Sequence, residues 1–169
     1  MTTPLPTLSD AIGIIEKFAG MLAPEVGQAL LRGVVDLESS LFSPVTNWKV
    51  KIPCADRPGV YFLLDAVGRE PKQNRILYIG KSEGLMGTRI CEHLKAPSGG
   101  GVCSVFAYPR WQSQARELGV AMPIVRLLSL SPPQSNAAAS QQEETWFFAP
   151  AIESLLIHRL KPPFNNVGK

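Results

Sequence analysis

Two glycine–tyrosine triplets, Gly59-Val60-Tyr61 and Tyr78-Ile79-Gly80, constrain this chain more than anything else in it. Each is embedded in a run of β-forming residues, Val60-Tyr61-Phe62-Leu63-Leu64 and Ile76-Leu77-Tyr78-Ile79. Residues 65–74 between them are polar and hold Gly68, Pro71 and Asn74, so the two runs predict an antiparallel hairpin with an enlarged loop. The second triplet leads into Lys81-Ser82 and a helix predicted over 85–95, which carries Leu85, Arg89, Ile90, His93 and Leu94. Phenols, a lysine, an arginine and a histidine gathered in one short stretch form the kind of cluster that handles a phosphate group.

The remaining chain predicts an α+β protein in which a small three-stranded antiparallel sheet is flanked by helices. Residues 8–42 read as two helices. The first has an apolar stripe of Leu8, Ile12, Ile15, Phe18 and Leu22 with Ser9 or Asp10 as its cap; the second starts at Pro24, with Val26, Leu30, Val34, Leu37 and Leu41 as its stripe. Residues 1–47 are thus an N-terminal helical extension, and the main domain spans 48–169. After the glycine run Gly99–Gly101, a short strand is expected at 102–107, a helix at 111–119 and the third sheet strand at 124–130. Ser140-x-x-Glu143 reads as a capping box opening a helix with Trp146, Phe147 and Phe148. Pro150 is expected to divide that helix from another over 151–160, which Pro162-Pro163 stops.

Charge is unevenly spread. Residues 1–50 carry three Lys/Arg against five Asp/Glu, and residues 51–169 carry fourteen against nine, which suits a polyanionic partner for the main domain. Hydrophobic residues make up 45% of the chain, enough for a core and too many for disorder. The three cysteines, Cys54, Cys91 and Cys103, form no C-x-x-C pair and predict reduced thiols in a cytoplasmic protein, with Cys91 a buried structural thiol. No secretory signal and no membrane-length apolar run is read in the sequence.

Further along, Glu153-Ser154-Leu155-Leu156-Ile157 is followed by Pro162-Pro163-Phe164-Asn165, so that a Pro-x-aromatic-Asn element ends twelve residues after the glutamate. With both triplets, Lys81-Ser82 and Arg89-x-x-x-His93 in the same order, the chain resembles a GIY-YIG nuclease over roughly residues 56–167. The resemblance implies the fold of that family. It also implies a metal-dependent DNA endonuclease whose catalytic residues are Tyr61, Tyr78, Lys81, Arg89, His93, Glu153 and Asn165.

The residue types suit phosphodiester hydrolysis, which needs an activated water, compensation for charge growing at phosphorus and help for the departing oxygen. The sequence does not separate the two phenols. Tyr61 is the preferred base and Tyr78 the group that positions phosphate or water, with Lys81 favouring the phenolate. Arg89 and His93 share a helix face. Arg89 would stabilise the transition state, and His93 would accept the phenol's proton or hold the tyrosine. By resemblance Glu153 is the single carboxylate ligand of Mg²⁺ (or Mn²⁺), and Asn165 fixes the site's geometry by hydrogen bonding. His158 is expected at the surface, away from that face.

Sixteen residues separate Tyr61 from Tyr78, more than in many members of the family, and Arg69, Lys72 and Arg75 in this loop are candidate phosphate contacts. No accessory DNA-binding module is recognisable; the Gly99–Gly101 segment, Arg110-Trp111 and the N-terminal helices are the candidates for target choice. DNA is the expected partner, RNA is equally compatible with the residues, no membrane is expected, and residues 8–42 offer a homodimer surface. The competing reading is a non-catalytic nucleic-acid-binding or interaction module that keeps the fold. It leaves Glu153 unexplained, since a carboxylate repels phosphate unless a cation is bound.

Overall fold

Seven consecutive buried residues, Gly59–Asp65, form the strand around which the site is built. The computed structural model of the chain describes residues 4–39, 58–65, 70–95, 105–106, 108–120, 123–130 and 148–165. In chain order its elements are α1 (Leu8–Ala19), α2 (Pro24–Ser39), β1 (Gly59–Asp65), β2 (Arg75–Ser82), α3 (Met86–His93), β3 (Leu94–Lys95), β4 (Val105–Phe106), α4 (Pro109–Glu117), β5 (Pro123–Ser129) and α5 (Phe148–Leu160). A single 3₁₀ turn, Pro71–Gln73, precedes β2.

β1 is the central strand, antiparallel to β2 on one side and to β5 on the other. The predicted hairpin and third strand are therefore both present, and the described residues form a three-stranded antiparallel α+β sheet with five α-helices. β3 and β4 make a separate two-stranded ribbon. Alternation along β1 sends its side chains to two cores. Val60, Phe62 and Leu64 join Leu8, Ile12 and Ile15 of α1, Leu30, Val34 and Leu37 of α2, and Ile152 and Leu156 of α5. Tyr61 and Leu63 face the opposite layer, made by Met86 and Ile90 of α3, Trp111 and Ala115 of α4, Phe106 and Phe164.

α1 and α2 pack on one another, and Leu8, Ile12, Ile15, Leu30, Val34 and Leu37 of their stripes are buried in the first core. The cap of α1 is Thr7, not Ser9 or Asp10. Asp10 instead completes a capping box, its carboxylate accepting the Thr7 backbone N–H at 2.8 Å. One residue earlier, the Pro6 carbonyl accepts the Ile76 N–H at 2.7 Å, and the Leu8 N–H reaches the Asn74 carbonyl at 2.9 Å. The N-terminal arm thus covers the start of edge strand β2, satisfying groups that would otherwise be exposed.

Three boundaries differ from expectation. The helix expected over 85–95 ends at His93, because Leu94 turns extended to pair with Phe106 and bury its side chain. α4 begins at Pro109, two residues early, with proline at a first-turn position that needs no N–H. Pro150 does not divide a helix from residues 151–160: α5 runs through it, as the third residue described, where its missing N–H breaks no i→i−4 bond within the described helix. Leu41, Arg69, Gly99–Gly101, the 140–143 capping box, Trp146, Phe147, Cys54 and Cys103 lie outside the described residues, as does the side chain of Cys91. No helix among the described residues is long and apolar enough to cross a membrane.

Candidate active site

The two phenols come together through an irregularity that the sequence does not announce. Along β2 the register against β1 shifts between Leu63 and Leu64, so Leu63 pairs with Tyr78 while Leu64 pairs with Ile76. The extra residue, Leu77, changes the alternation: Leu77 and Tyr78 both pack in the second core, on the Tyr61 side of the sheet. The rings of Tyr61 and Tyr78 then lie 6.1 Å apart. Gly80 pairs with Tyr61, and it is the residue over which the phenols pass. A Cβ there would stand 2.5 Å from Tyr61 Cζ and Oη and 2.7 Å from Tyr78 Cε1, so no larger residue fits. Gly59 has a similar constraint, since a Cβ would reach within 2.9 Å of Met86 Sδ on α3.

A cavity of about 350 Å³ opens at this end of the sheet, lined by Tyr61, Tyr78, Lys81, Ser82, Glu83, Arg89 and Glu153. Five of the seven residues predicted from sequence therefore line one cavity. β1, β2, α3 and α5 each contribute. The other two, His93 and Asn165, act from behind it.

His93 is 4% exposed, and its ring lies 5.9 Å from that of Tyr61 and 5.1 Å from that of Tyr78. Trp111 backs Tyr78 at 4.7 Å and is itself stacked on Phe164 at 5.4 Å. Pairs of this kind each contribute about 0.5–1.5 kcal/mol beyond burial, so the aromatic layer holds the phenols in fixed orientations. Asn165 binds the backbone rather than a substrate-facing atom. Its Oδ1 accepts the Ile79 N–H at 2.8 Å and its Nδ2 donates to the Ile79 carbonyl at 2.7 Å. With the Phe164 N–H on the Leu77 carbonyl at 3.0 Å, the C-terminal turn pairs with the open edge of β2 beside Tyr78 and Gly80.

Burial and the neighbouring charges act on both phenols. Burial raises the pKa of Tyr61 far above the usual phenol value, the neighbouring Tyr78 charge adds to this, and Arg89 opposes it. Burial raises Tyr78 as well, Glu153 adds to this and Arg89 opposes it, while the neighbouring Tyr61 hydroxyl couples the two phenols. Tyr78 is the less buried of the two phenols. The cation acting on both phenols is Arg89, not Lys81. Lys81 follows Gly80 by one residue, pairs with Val60 and so belongs to the opposite sheet face, beside α5. There it forms an ion pair with Glu83 and acts on Glu153.

Glu153 is half-buried, and desolvation raises its pKa; the Lys81 charge, a hydrogen bond from the Lys81 backbone N–H and Arg89 pull the other way. A desolvated carboxylate on the wall of a roomy polar cavity fits a divalent cation that takes one protein ligand and completes its shell with water and phosphate oxygens. Among the described residues no group of three or more His, Cys, Asp or Glu offers an all-protein metal cage. His158 is exposed, as expected. Arg75 is engaged by Asp65, its Nε donating to Oδ2 at 2.9 Å.

Glu83, Tyr108 and Trp111 complete the surroundings without having been assigned a catalytic place from sequence. Tyr108 and Trp111 are three apart at the start of α4, a spacing that signals a shared face. Glu83 carries no such signal, because the turn after β2 rather than any periodicity brings it to Lys81. Comparisons of the chain with protein-family models, with curated proteins and with solved structures returned no match.

Proposed function

We propose that this chain is a metal-dependent DNA endonuclease of the GIY-YIG type, hydrolysing phosphodiester bonds by attack of water. One observation carries the proposal. Tyr61, Tyr78, Lys81, Arg89 and Glu153, drawn from four separate elements, line a single cavity of about 350 Å³. A non-catalytic polyanion binder gains nothing from a desolvated carboxylate there, whereas phosphodiester hydrolysis uses every group.

Arg89, exposed at the cavity mouth, meets the phosphate oxygens and takes up charge that grows in the transition state. Its field also draws both phenols toward ionisation. Tyr78, the less buried phenol, loses its proton to solvent and as the phenolate takes the proton of the attacking water. Tyr61, whose ring lies 6.1 Å from that of Tyr78, orients it, and Tyr78 returns to the neutral phenol as the water is deprotonated. Lys81 exchanges Glu83 for a phosphate oxygen or remains beside Glu153 as counter-charge. His93 and Trp111 fix the Tyr78 ring, and Asn165 fixes its backbone. Mg²⁺ or Mn²⁺ held by Glu153 would supply Lewis-acid charge to the phosphate and the departing oxygen.

One such site cuts one strand. Duplex cleavage requires two protomers or two successive nicks. The proposal is tested by incubating supercoiled DNA with the protein in Mg²⁺ or chelator, and with Glu153→Gln in parallel.

A further inference from the structure

Tyr108 is one of three large hydrophobic residues exposed among those described, with 43% of its surface open. Its ring is nevertheless anchored. It meets Trp111 edge-on at 4.9 Å and the His93 ring at 5.7 Å, and Trp111 is in turn buried against Phe164. Through His93 it is one ring removed from Tyr78 on the cavity wall, and the two tyrosines are close enough for Tyr108 to act electrostatically on Tyr78. Pro109 locks the backbone that follows, and exposed Arg110 adds a cation alongside. An aromatic ring that is open on one side, already ordered and flanked by positive charge costs nothing further to immobilise when a flat partner arrives.

We infer that the open face of Tyr108 is a stacking platform for an unpaired nucleobase of DNA next to the phosphate being cut. The inference rests on the nuclease reading above and adds a substrate preference to it. Stacking on an aromatic ring is tolerant of base identity, because every base has a π-face, but it requires a base free of its own stack. The chain then favours DNA with an unpaired nucleotide beside the cleavage point, such as a single strand, a bulge or a frayed end, over continuous duplex. Trp111, the aromatic expected from sequence to help choose targets, is buried and serves instead to hold this platform.

The test measures binding in chelator, so that nothing is cut. Single-stranded DNA containing 2-aminopurine is titrated against the same sequence fully paired, with wild type, Tyr108→Phe, Tyr108→Leu and Lys81→Ala. Wild type is expected to bind the single strand more tightly and to quench the 2-aminopurine. Tyr108→Phe keeps both properties. Tyr108→Leu binds the single strand about tenfold more weakly and loses the quench, the size of effect typical of a lost stacking ring, while binding duplex as wild type does. Wild-type binding and quenching by Tyr108→Leu would overturn the platform. So would an equal loss in Tyr108→Phe, which would make the hydroxyl the contact. If Tyr108→Leu is unchanged while Lys81→Ala weakens both DNAs, the platform alone falls; if wild type binds neither DNA, the nuclease reading falls with it.

Discussion

Asn165 closes both backbone hydrogen bonds of Ile79, taking its N–H at 2.8 Å and giving a proton to its carbonyl at 2.7 Å. Ile79 stands between Tyr78 and Gly80, so a side chain eighty-six residues away sets the path of the strand that carries the proposed base. This makes Asn165 a positioning residue.

Asn165→Ala is expected to lower kcat by about tenfold to a hundredfold with little change in KM, the sign of misplacement rather than lost binding. Its thermal midpoint should fall too, since a net hydrogen bond is worth about 1 kcal/mol. Asn165→Asp keeps the acceptor for the Ile79 N–H but cannot donate to the carbonyl when ionised. It should be intermediate in single-turnover nicking.

Gly80→Ala forces a methyl onto the phenol pair, where a Cβ would lie 2.5 Å from Tyr61 Oη. Overpacking of this kind costs about 1–3 kcal/mol, readable by denaturant unfolding. Activity should fall further than stability, because the phenols themselves must move.

Nicking should rise with pH through the alkaline range, as burial holds both phenols above their ordinary value and only the ionised form of the base removes a proton. Tyr61→Phe leaves Tyr78 as the one ionisable phenol of the pair, so its alkaline limb should persist. Tyr78→Phe should abolish the limb and cost about a hundredfold to ten-thousandfold in kcat. Stability runs the opposite way. A phenol raised by folding keeps its proton in the native state after the unfolded chain has lost it, so stability falls as pH rises above about 10.

Glu153, also raised by desolvation, gives the acid-side prediction. Without metal, its buried charge is relieved as pH falls through the raised pKa, so its contribution to stability increases toward acid. Mg²⁺ binds the ionised form alone. Its stabilising effect in thermal melts should be present at neutral pH, fade toward acid and be absent in Glu153→Gln.

The hairpin, the third strand and five residues of one cavity were legible because period-two apolar runs and glycine–tyrosine triplets state local structure directly. The β2 register shift was not, since it arises from how Leu77 and Ile76 divide between two cores, a tertiary matter. The same is true of the charge beside the phenols, which comes from Arg89 rather than Lys81. Strand alternation puts Lys81 across the sheet from the phenols, although it follows Tyr78 closely in sequence. Pro150 misled because a proline's effect depends on its place in a helix, and α5 carries it in a turn where it is tolerated.

The central claim is that Glu153 and the phenol pair form one hydrolytic centre, and supercoiled-plasmid nicking tests it most directly. Wild type should nick in Mg²⁺ and stop in chelator, while Glu153→Gln, folded and thermally intact, should lose activity by about a thousandfold or more in the same assay. Undiminished nicking by Glu153→Gln, or no Mg²⁺-dependent nicking by wild type on supercoiled, linear and single-stranded DNA, would contradict the account.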